Sequence, residues 1–162
     1  MSNWEENKAK NIEIAKFLGF KVEEDMVLDS GGRRYFDGDM AYHMVYDGET
    51  VDGDDMTASH QASEEEVWDR ITPSFTTDIW AVQRYLFDYF KEKKWYVRIE
   101  GPWYYEGYEE PVNGFVCKIY DGPIMSGPDC DCKHCHPTIG FGTSDYLSGA
   151  VSEAFLQIMK QK

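Results

Sequence analysis

The chain has 162 residues, of which 42% are hydrophobic and 15% aromatic, a composition that supports a folded core and argues against a disordered chain. Its net charge of −14, from 30 acidic and 16 basic residues, disfavours binding to nucleic acid and to anionic membranes. No apolar run reaches the roughly 18 residues that a membrane-spanning helix needs. The polar first residues also lack the apolar core of a signal peptide. We therefore expect a cytoplasmic protein with reduced thiols.

The N-terminal part of the sequence predicts helices and short strands. Residues 5–18 have an approximate apolar face and precede Gly19, which predicts a helix that stops there. The acidic segment 47–63 is short of aliphatic residues and is predicted to be an exposed loop. Ser63 and Glu66 have capping-box spacing and predict a short helix after it. Short strands are expected within residues 20–28, 33–38 and 40–48, with a Gly31-Gly32 turn between the first two.

The C-terminal part gives the clearest pattern. Residues 73–94 predict an amphipathic helix capped by Thr76 or Thr77, with Asp78 in its first turn. Residues 143–160 predict a second helix with a continuous apolar stripe. Strands are expected at 95–100 and at 115–120, and residues 138–142 are expected to form either one more strand or simply extended chain.

These elements together predict an α+β fold. Amphipathic helices and half-apolar strands need a shared core, and an antiparallel sheet layered with helices supplies one. We expect an α-β-α sandwich in a single domain over residues 1–162, with the acidic loop at 47–63 and a Cys/His loop at 128–137 as its exposed additions.

The Cys/His loop, "PDCDCKHCHP", is the strongest candidate for a metal site. Cys132 and Cys135 have the C-x-x-C spacing of a zinc knuckle. Cys130 with His136 would complete a tetrahedral set, and Cys117 is the alternative fourth ligand. Four protein ligands would make the zinc structural, because a catalytic zinc keeps an open position. The alternatives are a loop without metal and, less favoured before Pro137, a redox pair.

Three arginines are candidates for ligand binding. Arg33 and Arg34 follow two glycines, and such a turn with guanidinium groups can hold a phosphate, although a plain hairpin turn is the favoured interpretation. Arg98 lies in the aromatic stretch 95–108, whose outward rings could stack a base or form a protein interface. Packing of those rings in the core is the ordinary alternative.

No catalytic motif is present in the sequence. There is no H-E-x-x-H, no G-x-S-x-G and no paired-carboxylate signature. The acidic run from Asp47 fails the calcium-loop pattern, because Val51 and Ala58 stand at two of the ligand positions. The sequence therefore favours a protein that is not an enzyme.

Three stretches resemble the phage ABA sandwich family, a group of small phage and prophage proteins. These stretches are 11–20, ending in Gly19-Phe20; 73–100, with Phe75 to Asp78 and Trp95; and the closing Thr143 to Ala154. The resemblance implies α-β-α layering and a phage origin. The acidic and Cys/His loops lie outside that pattern.

We therefore expect a phage-encoded accessory binding protein of the host cytoplasm, with a structural zinc loop. It would act as a counter-defence inhibitor by sequestering a host protein or a small nucleotide signal. A homo-oligomer is expected, while a nucleic-acid or membrane partner is not. The alternatives are a zinc-assisted hydrolase using His134, His136 and a carboxylate, or a structural or regulatory phage protein with no small ligand.

Overall fold

The computed structural model divides the chain into two compact units, Met1–Pro73 and Ser74–Lys162. Each unit contains a three-stranded antiparallel sheet and helices, so the predicted α+β class is confirmed. The prediction of a single domain stays a prediction. The structure describes residues 3–25, 41–52, 61–101, 114–122 and 138–161.

The first unit has its strands in the order β1-β2-β3. The turn between β2 and β3 has positive φ at Asp47 (51°) and Gly48 (79°), as in the tight turns that suit strand twist. The elements of this unit are α1 (Asn3–Leu18), β1 (Lys21–Asp25), β2 (Ala41–Tyr46), β3 (Glu49–Val51) and α2 (Glu64–Arg70). Its fully buried apolar side chains include Ile14, Ala15, Met44 and Val67.

Two predicted boundaries in this unit are confirmed, and one segment differs. Helix α1 ends before Gly19, which has a φ of 96°. Helix α2 is capped by Ser63, whose side chain accepts a hydrogen bond from the Glu66 amide at 3.2 Å. Within the predicted acidic loop, however, Glu49–Val51 pairs with β2 as strand β3. Three residues with one buried side chain, Val51, are too short a pattern to stand out in an acidic sequence.

The second unit places one helix across a sheet of order β4-β5-β6. Helix α5 packs on β6 at Gly140 and Gly142, where the absent side chains allow a close approach of the two backbones. The elements are α3 (Ile79–Ala81), a π-helical segment (Val82–Phe87), α4 (Asp88–Glu92), β4 (Trp95–Glu100), β5 (Phe115–Asp121), β6 (Thr138–Ser144) and α5 (Leu147–Met159). The fully buried side chains include Phe75, Phe90, Ile119 and Phe155.

The helix predicted over 73–94 starts later and is less regular than expected. Its N-cap is Asp78, whose Oδ1 accepts a hydrogen bond from the Trp80 amide at 2.9 Å, so the prediction of Thr76 or Thr77 as the cap was wrong. Thr76 instead offers its carbonyl to the Ser148 hydroxyl at 3.2 Å, and the Phe75 carbonyl accepts from Ser152 at 2.7 Å. The segment before the helix is therefore fixed against α5.

Candidate functional site

The candidate site is the face of the second sheet that points away from α5, called here the outer face. A Cβ on Gly140 would lie 2.5 Å from the carbonyl oxygen of Ala154 in α5, and Gly142 likewise lies against that helix. Because side chains alternate along a strand, Phe141 between them points to the outer face. The strand register then fixes which side chains of β5 and β4 lie beside it.

The middle row of the outer face joins two cations to an aromatic ring. Phe141 is paired with Lys118, and Lys118 is paired with Arg98 on the other side. Directly opposed residues of an antiparallel pair have Cβ atoms about 5 Å apart. The three side chains thus form one continuous strip across the three strands.

The row above this strip is aromatic. Tyr96 is paired with Tyr120, and their ring centroids are 6.2 Å apart with a tilt of 45° between the ring planes. Tyr96 is 43% exposed and Phe141 is 46% exposed, although large aromatic side chains are usually buried. The outer face therefore offers two exposed rings to solvent beside two positive charges.

The two like charges of the middle row destabilise the sheet. Like charges directly opposite each other on a sheet are unfavourable, and Arg98 stands opposite Lys118. Glu100 offsets part of this cost, since its Oε1 lies 2.7 Å from the Arg98 Nε. Lys118 makes no ion pair within the described residues. An anionic group placed between the two cations would relieve their repulsion.

Of the three predicted ligand-binding arginines, the structure describes Arg98. It lies on the outer face with its side chain 46% exposed. Arg33 and Arg34 lie outside the described residues, as do the predicted zinc ligands Cys130, Cys132, Cys135 and His136. The zinc loop therefore stays a prediction.

Cys117, the alternative zinc ligand, is a core residue. It lies opposite Gly142 in the register, on the side of the sheet that α5 covers, and is completely buried. Burial raises the pKa of its thiol to about 12, so without a metal ion the thiol stays protonated.

The described residues contain neither a candidate metal centre nor a membrane-crossing helix. No cluster of three or more His, Cys, Asp or Glu side chains in these residues is arranged to hold a metal ion. Nor do their helices include one with the length and apolar character that crossing a membrane requires.

Sequence reasoning missed Lys118, Tyr120 and Phe141 as members of the site. Their alternation within two predicted strands was visible, but the pairing of Lys118 with Arg98 depends on a register between segments 20 residues apart. Placing the exposed rings of Tyr96 and Phe141 next to these charges required the same register.

Comparison of the chain with known protein families, with curated proteins and with solved structures finds no match.

Proposed function

We propose that this chain is a binding protein without chemistry of its own, and that it sequesters a small nucleotide on the outer face. The observation that carries the proposal is the opposed pair of Arg98 and Lys118 between exposed aromatic rings. The counter-defence role expected from the sequence as a whole is part of this proposal, because sequestering a nucleotide signal is a way to silence a host defence.

The two halves of a nucleotide match the two kinds of side chain on this face. A base stacks on tyrosine or phenylalanine, and such stacking contributes about 1–3 kcal/mol per base. A phosphate accepts charge-assisted hydrogen bonds from arginine and lysine. Tyr96 and Phe141 would supply the stacking surface, while Arg98 and Lys118 would bind the phosphate.

The size and charge of the face favour a small ligand over a nucleic-acid strand. Three strands at about 4.8 Å spacing give a platform about 10 Å wide, which suits one or two nucleotides. A longer polyanion would meet the field of a chain whose net charge is −14, and that field opposes it.

The test is calorimetric titration of the full chain with mononucleotides, cyclic mononucleotides and cyclic dinucleotides. We expect one class of these probes to bind, and Lys118→Gln to weaken that binding at least about tenfold, since it removes a charge-assisted hydrogen bond. Lys91→Gln is the matched control, because Lys91 is an exposed lysine on α4, whose Phe90 packs against Phe155 of α5 on the other side of the sheet. The control should bind as the wild type does.

Three results would contradict the proposal. If no probe binds, or if both glutamine variants bind equally well, the outer face does not hold a nucleotide, and a host protein becomes the leading partner. If a bound nucleotide is recovered chemically altered, as judged by chromatography of the mixture, the protein is an enzyme and the absence of chemistry is refuted.

A further inference from the structure

Strand β6 is the last strand of its sheet among the described residues, and residues of β6 and α5 line a groove beside it. The groove has a volume of about 330 Å³ and lies between β6 and α5. An open strand edge presents backbone donors and acceptors that another strand can use. The side chains and backbone that line it include Phe141, Thr143, Glu153, Leu156, Gln157 and Lys160.

One contact shows which backbone groups point out of this edge. The Phe141 amide donates a hydrogen bond to the Gln157 Oε1 at 2.6 Å, so this N–H faces away from β5. Because the direction of the amide alternates along a strand, the amide of Thr143 points outward as well. The exposed Gln157 side chain thus occupies the position that a carbonyl of a neighbouring strand would take.

We propose that the occupant of this edge is β6 of a second copy of the chain, paired antiparallel about a two-fold axis at Phe141. Each Phe141 would exchange both backbone hydrogen bonds with its counterpart after Gln157 swings aside. The outward Thr143 amide of each copy would donate a hydrogen bond to β6 of the other copy, two residues away from the axis. The product is one six-stranded sheet with α5 of each copy on the same side.

The charges of α5 are self-complementary about that axis. Glu153 and Lys160 both line the groove and are seven residues apart, which is about 10.5 Å along a helix. Gln157, between them, contacts Phe141. A two-fold axis at Phe141 runs the two α5 helices antiparallel, so that Glu153 of each copy faces Lys160 of the other.

The exposure of Phe141 agrees with the same axis. Its side chain is 46% exposed at the sheet edge, and it would lie directly opposite the same ring of the second copy. Aromatic cross-strand pairs of this kind stabilise antiparallel sheets. A ring at the axis with opposite charges on either side forms an isologous interface, and an unrelated peptide would not share this two-fold symmetry.

Sedimentation velocity of the full chain without ligand tests the dimer across a concentration series. The wild type should sediment as twice the 18.8 kDa of one chain. Lys160→Glu should raise the dimer dissociation constant about tenfold, because two attractive pairs become repulsive. Glu153→Lys should do the same, and the double exchange Glu153→Lys with Lys160→Glu should restore the wild-type constant.

A proline variant tests the strand pairing separately from the charges. Thr143→Pro removes an outward amide at a strand edge, where proline is tolerated, and should abolish the dimer while circular dichroism shows an unchanged fold. A monomeric wild type, a larger assembly, or a dimer indifferent to Thr143→Pro and to the charge exchange would each overturn the inference. Because no nucleotide is present, these outcomes do not depend on the proposed function.

Discussion

At the scale of single residues, the charge of Lys118 favours the proposed nucleotide binding but destabilises the fold. Its charge lies opposite Arg98, and that repulsion weakens the fold. We predict that Lys118→Gln, the variant expected to weaken nucleotide binding, raises the free energy of unfolding by about 0.5 kcal/mol. Urea denaturation at low salt measures this difference.

Two comparisons test whether the stability gain of Lys118→Gln comes from relief of charge repulsion. Arg98→Gln should give a smaller gain, because it also removes the ion pair with Glu100. The gain from Lys118→Gln should shrink at high salt, where exposed charges are screened. If Lys118→Gln lowers stability instead, the lysine has a structural role and its place in a ligand site loses support.

The same residues show what the sequence could and could not predict. Strand β4 was predicted with its observed bounds because Trp95 to Glu100 alternates cleanly, and Arg98 was selected from its aromatic surroundings. Its partner Lys118 was not selected, because one lysine in a strand has no distinguishing feature until the strand register shows which residue lies opposite it. Local pattern determines which face a side chain takes, while tertiary pairing determines what it meets.

At the scale of elements, the contact between β6 and α5 holds the outer face in place. A Cβ at Gly142 would collide with the backbone of Ala150 and Ala154 in α5, and a helix backbone has little freedom to yield. We predict that Gly142→Ala lowers the free energy of unfolding by about 3 kcal/mol, as overpacking of a tight core does. Thermal and urea denaturation measure the loss.

Thr143→Ala is the matched control for this prediction. Thr143 is the next residue of β6, is exposed and points to the outer face, so its truncation should cost no more than about 0.5 kcal/mol. Equal losses of stability in the two variants would show that β6 is sensitive to any substitution. The close approach of α5 would then not be the reason for glycine at position 142.

The helical elements were predicted more reliably than their ends. The closing helix was expected because its apolar residues repeat on one stripe, and α5 is confirmed over Leu147–Met159. The start of the helix after Phe75 was misplaced because Thr76, Thr77 and Asp78 can each cap a helix. Asp78 is the cap in the structure because Ser148 and Ser152 of the distant helix α5 hydrogen-bond the carbonyls of the residues just before it.

At the scale of the whole molecule, the negative charge is concentrated in one unit. Residues 1–73 hold 18 acidic and 7 basic side chains, and residues 74–162 hold 12 and 9. The outer face therefore belongs to the less charged unit, in which an anionic ligand meets weaker opposition. A large net charge of one sign also destabilises a folded chain through self-repulsion.

This imbalance predicts that salt stabilises the protein. Screening shortens the range of the repulsion, with a Debye length of about 3 Å at 1 M salt against about 30 Å at 0.01 M. We expect the midpoint of thermal unfolding to rise by several degrees between these limits at neutral pH. A falling midpoint would mean that favourable ion pairs, such as Lys8 with Asp69, outweigh the repulsion.

A pair of glutamine variants separates this electrostatic effect from other actions of salt. Glu49 is exposed on β3 in an acidic stretch, whereas Glu92 is exposed between Lys91 and Lys93. At low salt, Glu49→Gln should raise the unfolding midpoint because it removes a repelled charge, and Glu92→Gln should lower it because it removes an attracted one. Both differences should fade in concentrated salt. Identical behaviour of the two variants would mean that local charge does not set stability, and that salt acts on this chain by strengthening apolar burial instead.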